Sequence, residues 1–347
     1  MDYEKFKQDM EQDVLKNLAN RGIEAETDVR HIDKLNDGYD ALTVKAPGSV
    51  IGVNINLSSA FEAYEDGRDY IDIVERASDQ AAKGITESKS FDIDKVNDYD
   101  QMKQTLSMEV VSAERNADML EKVPHKNIED MAVVYRFVLD ASDEGRASIL
   151  VTNQLLDSYG ITADQLHEDA MTIAPELRPA VIKTMSETLQ EMMGDEAFMM
   201  MGMPIAPPEN EPLFVATVPD KVQGASVLAY QDFMEQAAER VGGDFYVLPS
   251  SIHEILLVRD DGSMNRADLE DMVRTVNATE VQPEDILTDS VYHYDSKDKV
   301  FELAEKFEER TAAKQRESAL DKLADKKREA PIHESVTRPH DRGGEAL

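Results

Sequence analysis

A surplus of 34 negative charges has to stay in water, and that requirement limits where this chain can build a core. Asp and Glu number 71 against 37 Lys and Arg over 347 residues. A buried carboxylate is costly unless paired. The fold must therefore be assembled from short apolar faces beneath a charged exterior. That exterior repels nucleic-acid backbone and anionic lipid. Neither direct nucleic-acid binding nor a membrane partner is expected; another protein is. The acidity belongs to the body. Residues 309–347 hold nine Lys/Arg and eight Asp/Glu, which leaves 28 and 63 for residues 1–308.

There is no cysteine. Disulfides, thiolate metal sites and cysteine nucleophiles are excluded, and the chain suits a reducing cytoplasm. The start, Met1-Asp2-Tyr3-Glu4, has no apolar leader region. The longest uncharged stretch, 46–61, is interrupted by Pro47, Gly48, Asn54 and Asn56. It falls short of the ~20 residues of a spanning helix. A soluble, cytoplasmic protein is the expectation.

Periodicity predicts an α+β fold. Tyr3, Phe6, Met10, Val14 and Leu18 recur at helical steps behind an N-cap at Asp2. Strand-like runs follow at 26–32, 41–44 and 50–57, the first two separated by the turn residues Asn36-Asp37-Gly38. Ser59-x-x-Glu62 reads as a capping box before a helix through Phe61, Tyr64, Ile71, Val74 and Ala81, interrupted at Gly67. Residues 1–84 thus read α-β-β-β-α. Further mixed strands and helices follow. The run 131–139 is apolar on both faces, as in a central strand. Helices are expected at 163–173 and 180–193. Residues 213–294 then read β-α-β-β-α-β, the order of a ferredoxin-like unit. A charged helix is expected over 298–327, with a disordered end. The expected domains are 1–203, a Met/Pro-rich hinge at 204–212, a smaller domain at 213–300, and a charged helix and tail at 301–347.

Signatures of catalysis are sparse. The chain lacks a phosphate-binding G-x-x-x-x-G-K-[ST] loop, a G-x-G-x-x-G turn, a G-x-S-x-G elbow and an H-E-x-x-H helix. No cofactor, metal or catalytic residue is assigned. An α-β-β-β-α opening also invites a nuclease test. Asp40 begins a strand, yet the next strand carries neither an acid nor a lysine to hold Mg²⁺ and orient water. The most enzyme-like stretch is Ser250, Ser251, His253 and Glu254, a candidate polar cluster at an interdomain cleft. Its plainer reading is a turn whose hydroxyls bond backbone groups. Met199, Met200, Met201 and Met203 form a candidate partner surface. Glu62, Glu65, Asp66, Asp69, Asp72, Glu75 and Asp79 form a candidate acidic stripe.

Several segments carry a resemblance. They are Asn116 with Val123-Pro124-His125 and 131–135; 148–153; Leu166-His167-Glu168-Asp169-Ala170; 243–254; and 287–292. Together they resemble an uncharacterised bacterial family of Gram-positive gut anaerobes, often carried on mobile elements. The likeness spans roughly residues 1–300, with Pro249 to Glu254 as its most specific motif. The smaller domain is more distantly similar to another uncharacterised family of Gram-positive cytosolic proteins. The resemblance implies a bacterial cytosolic origin and no activity. A non-enzymatic acidic protein-interaction module is therefore the expected function. The alternatives are a nucleic-acid mimic that blocks a DNA- or RNA-binding protein, and an enzyme with an interdomain cleft.

Overall fold

The structure, a computed structural model, describes residues 1–34, 37–47, 49, 52–88, 93–142, 145–200 and 208–329. It is an α+β fold with three antiparallel sheets. The first unit runs α1 (Tyr3–Asn20), β1 (Glu26–Lys34), β2 (Asp37–Lys45), β3 (Gly52–Asn56), α2 (Leu57–Glu65) and α3 (Tyr70–Ser88), in the expected order. Asp2 caps α1 by accepting from the Lys5 N–H at 2.9 Å. Phe6, Met10, Val14 and Leu18 share one core with Leu42, Val44 and Ile55 of the sheet and with Val74, Ala77 and Ala81 of α3. Local readings change at two places, and a third falls where it was expected. Asn56 caps α2 by accepting from the Ser59 N–H, so the helix starts ahead of the expected capping box. The helix is interrupted at Gly67 as expected: residues 66–69, with Gly67 at φ +93°, part α2 from α3. Asp37 and Gly38 already belong to β2, opposite Lys34 and Asp33, while Asn36 lies outside the described residues.

The middle of the chain runs α4 (Ile93–Val96), α5 (Tyr99–Met102), β4 (Leu106–Ser112), α6 (Ala117–Leu120), β5 (Lys126–Ile128), β6 (Met131–Ser142), β7 (Gly145–Leu150), α7 (Asn153–Tyr159) and α8 (Ala163–Leu177). β6 pairs with β4, β5 and β7, which makes it central as expected. Met131, Val133, Tyr135 and Phe137 enter the main core. Ala132 and Val134 enter a smaller one with Val111, Met119, Leu120 and Val123.

The remainder runs β8 (Val181–Thr184), α9 (Met185–Met193), α10 (Asp195–Met200), β9 (Leu213–Thr217), α11 (Phe233–Val241), β10 (Phe245–Leu248), β11 (Ile255–Arg259), α12 (Arg266–Thr279), β12 (Tyr292–Asp295), β13 (Val300–Leu303) and α13 (Ala304–Glu329). Residues 181–184, expected to be helical, are strand. Val181, Ile182 and Thr184 are β-branched and suit a pleat. Thr184 then opens α9 through a capping box with Glu187. β8 pairs with β9, Val181 opposite Thr217. The segment 204–212, expected to divide two domains, therefore connects neighbouring strands of one sheet; 201–207 lie outside the described residues. The middle sheet and this sheet also share the main core.

The β-α-β-β-α-β order holds as β9-α11-β10-β11-α12-β12, but its sheet is not ferredoxin-like. A ferredoxin-like sheet sets the fourth strand beside the first and both helices on one face. Here the order is β13-β12-β10-β11-β9-β8. The steps β9 to β10 and β11 to β12 run the same way across the sheet from antiparallel strands. Right-handed crossovers then put the helices on opposite faces. Burial agrees. Phe233, Ala237 and Val241 of α11 join Phe245, Val247 and Ile255. Leu269 and Val273 of α12 join Tyr246, Leu248 and Val258. Val300–Leu303, read as the start of the charged helix, is an added edge strand whose Phe301 stacks on Tyr292 at 5.2 Å.

Candidate functional site

The loop from Ser250 to Glu254 joins β10 to β11 and is a crossing point of backbone. Ser251 Oγ accepts from the His253 N–H at 3.0 Å, a side-chain turn of the plainer kind read from the sequence. The His253 carbonyl accepts from Thr217 Oγ1 at 2.8 Å, and the Ile252 carbonyl from the Ala225 N–H at 3.0 Å. Gly224 lies so close that a β-carbon there would stand 2.2 Å from the His253 oxygen. Lys221 and Gln223 hold φ of 55° and 54°, a strain that persists only where surroundings fix it. His253 Nδ1 accepts from the Gln223 N–H at 3.2 Å. This leaves the ring proton on Nε2, 3.3 Å from Asp285 Oδ1. Nδ1 is thus held by a backbone N–H, the role of a loop-tying side chain. Ser250 is buried, and Glu254 is exposed.

A second set of contacts locks the strap 283–292 to the middle sheet. Asp130 Oδ2 accepts from Ser290 Oγ at 2.8 Å and Thr288 Oγ1 at 3.2 Å, and Asp130 Oδ1 accepts from the Tyr292 hydroxyl. Arg115 Nη1 donates to the Pro283 carbonyl at 3.1 Å. Asn277 Nδ2 donates to the Thr288 carbonyl at 3.0 Å. Burial, and then the Asp130 charge, push the Tyr292 phenol well above its ordinary pKa. The Ser250 carbonyl takes the Leu287 N–H, and the Ile252 N–H donates to the Asp285 carbonyl, so both sets meet on one strap. Sequence reasoning passed over Asp130. It carries no local motif, and its partners lie some 160 residues away.

His167, within another resemblance-bearing segment, faces Tyr135, whose hydroxyl is 2.8 Å from Nδ1. Burial, with Lys126 adding to it, holds His167 below its ordinary pKa. A depressed histidine pKa means that the unfolded chain takes up the proton first as pH falls. Stability contributed by neutral His167 is therefore lost as pH drops below about 6.5. Urea unfolding between about pH 7 and 5 is expected to lose part of its slope in His167→Gln. An unchanged slope would refute the assignment.

The other candidates are spread over the molecule. Asp40 is engaged by His31 Nδ1 at 3.0 Å and Lys7 Nζ at 2.9 Å, which hold its carboxyl at about 2. Glu62, Glu65, Asp66, Asp69, Asp72, Glu75 and Asp79 are all exposed, with Asp79 paired to Arg21. Met200 on α10 is 89% exposed, and Met192 and Met193 on α9 are 72% and 42% exposed. The Met199 side chain, Met201 and Met203 lie outside the described residues. Phe198 is buried and pins α10 down. A cleft of about 690 Å³ is lined by residues including Ile182, Glu209, Arg240 and Arg259. Glu187 holds Arg240 with both oxygens at 2.9 Å. Ser250, Ser251, His253 and Glu254 do not line it. Among the described residues, no group of three His, Asp or Glu is placed to hold a metal, and no helix is long and apolar enough to cross a membrane.

Residues 3–296 match one family model, DUF5688, described as a family of unknown function. No curated protein and no solved structure matches the chain.

Proposed function

We propose that this chain, which belongs to the DUF5688 family of unknown function, is a non-enzymatic protein-binding module that takes a basic, amphipathic helical segment of its partner. The observation that carries the reading is the α9–α10 corner. Met192 and Met200 are the most exposed large apolar side chains among the described residues, at 72% and 89%. Methionine is flexible and polarizable, so a methionine surface accommodates varied apolar side chains. Glu191 and Asp195 flank it, and the net charge of −34 steers cations toward the whole molecule. A helix with leucines on one face and lysines beside them suits that combination. The backbone bond at His253 Nδ1, and the absence of Ser250, Ser251, His253 and Glu254 from the lining of the 690 Å³ cleft, favour this reading over an enzyme built on those four residues.

The test is calorimetric titration with a lysine- and leucine-rich amphipathic peptide and with an isosteric glutamate version. The basic peptide is expected to bind and the acidic one not. Replacing Met192, Met193 and Met200 together by serine is expected to weaken binding about tenfold or more, since each buried methionine contributes more than about 1 kcal/mol. Equal binding of both peptides, or no loss in the triple variant, would sink the proposal.

A further inference from the structure

Arg178 ends α8 with a guanidinium whose donors are not all used. Its main chain is pinned on both sides. The N–H donates to the Ala174 carbonyl at 2.9 Å, and the carbonyl accepts from the Tyr230 hydroxyl at 2.9 Å. The side chain is only 13% exposed. Nη2 donates to Asp220 Oδ1 and to the Val222 carbonyl, and Nη1 stands 3.5 Å from Ser107 Oγ. Nε is buried, and among the described residues it finds no acceptor. Buried donors are nearly always paired, because an unmade bond forfeits the hydration given up on folding. Arg178 also lines a cleft of about 340 Å³, which falls within the ~300–1,000 Å³ of small-molecule sites. Leu106, Val138 and Leu177 give that cleft an apolar side, and Leu177 is 53% exposed. Thr105 adds a hydroxyl to the lining. It donates to the Met102 carbonyl at 2.9 Å and keeps lone pairs for an incoming N–H.

We infer that this cleft binds a small uncharged molecule with an amide and a branched apolar group, the chemistry of a capped aliphatic amino acid. Asp220 already balances the Arg178 charge, and the chain carries a net charge of −34. What Nε lacks is therefore an acceptor and not a counter-ion. A carboxylate would bring a second anion beside Asp220. An amide carbonyl accepts from the Nε–H without that repulsion, and the amide N–H suits Thr105 Oγ1. The branched group covers Leu177, Val138 and Leu106. The backbone bonds at Arg178 and the two partners of Nη2 hold the guanidinium in place beforehand, so little ordering is left to oppose binding. The site shares no residue with the methionine corner and stands or falls apart from it.

The test is a methyl-detected NMR titration of the 347-residue chain with N-acetyl-leucine amide. N-acetyl-leucine, which ends in a carboxylate instead, is titrated in parallel. The amide is expected to move the methyl signals of Leu106, Val138 and Leu177 with a Kd of about 1 mM or tighter, and the acid to bind about tenfold more weakly. Leu177→Ser changes an exposed side chain and leaves the fold in place. It is expected to raise the Kd for the amide about tenfold, the apolar contact of one leucine. Arg178→Lys keeps the charge but removes the Nε donor, and is expected to weaken the amide similarly. No shift of those methyls at about 10 mM amide overturns the proposal. So does an acid that binds as well as the amide, or a Leu177→Ser chain that binds like the parent.

Discussion

Gly224→Ala is expected to destabilise the fold by about 3 kcal/mol, a large loss for one added methyl group. The new carbon would sit 2.0 Å from Thr217 Oγ1 and 2.2 Å from the His253 carbonyl oxygen. The hydroxyl has other rotamers, but the carbonyl is backbone and cannot turn away. Three bonds converge there: Thr217 Oγ1 to the His253 carbonyl, the Gln223 N–H to His253 Nδ1, and the Ala225 N–H to the Ile252 carbonyl. Separating the strands of this crossing leaves buried polar groups unpaired, at about 1–3 kcal/mol each. Gly84 offers the contrast. A β-carbon there meets only the Val53 side chain, which is able to move, so Gly84→Ala should cost less. Urea unfolding of both variants measures the difference. A Gly224→Ala protein as stable as the parent would refute the close approach, and with it the structural role assigned to the Ser250–Glu254 loop.

Glu109→Ala is expected to cost a similar amount for an electrostatic reason. Glu109 of β4 is 5% exposed and accepts from Arg136 Nε of β6 at 2.6 Å. Cross-strand register pairs Glu109 with Val134 and Ser107 with Arg136, so the two charges are diagonal neighbours on one face. Their surroundings are apolar: Val111, Ala132 and Val134 of the smaller core share that face. Removing the glutamate strands a largely buried guanidinium, with a loss of about 3 kcal/mol. Replacing both, as Glu109→Leu with Arg136→Met, removes the desolvation cost on each side and is expected to restore stability to within about 1 kcal/mol of the parent. A single variant that costs nothing, or a double variant no better than the single, would show that the pair is not held in a low-dielectric environment.

Much of the secondary structure was legible because periodicity reports which face of an element meets the core. Phe6, Met10, Val14 and Leu18 were read as one helical face, and all four are buried. The doubly apolar run at 131–139 became the central strand β6. Errors arose where a run was too short for its period to decide. Val181–Thr184 fits a helix pattern in four residues, and its β-branched side chains settled it as strand. Val300–Leu303 was absorbed into the charged helix behind it for the same reason. The candidate cluster at Ser250–Glu254 was visible as residue types and as a turn whose hydroxyls bond backbone, but not which segments it ties together. Whether a serine and a histidine catalyse or tie down a loop depends on partners at Thr217, Gln223 and Asp285, which no local spacing announces.

Charge balance and apolar period are local properties, so the residues alone announce the α+β class, the acidic body with a less acidic C-terminal end, and those strands and helices long enough for a period to show. Tertiary structure alone decided the rest. It placed β8 beside β9 across the Met/Pro-rich segment and set α11 and α12 on opposite faces of one sheet. It also brought Asp130 to Tyr292 from 162 residues away. The physical reason is that an apolar face needs only to be covered, and many topologies cover it. Which one forms is selected by crossover handedness, by strand register and by the hydrogen-bond partners that buried polar groups must find elsewhere in the chain.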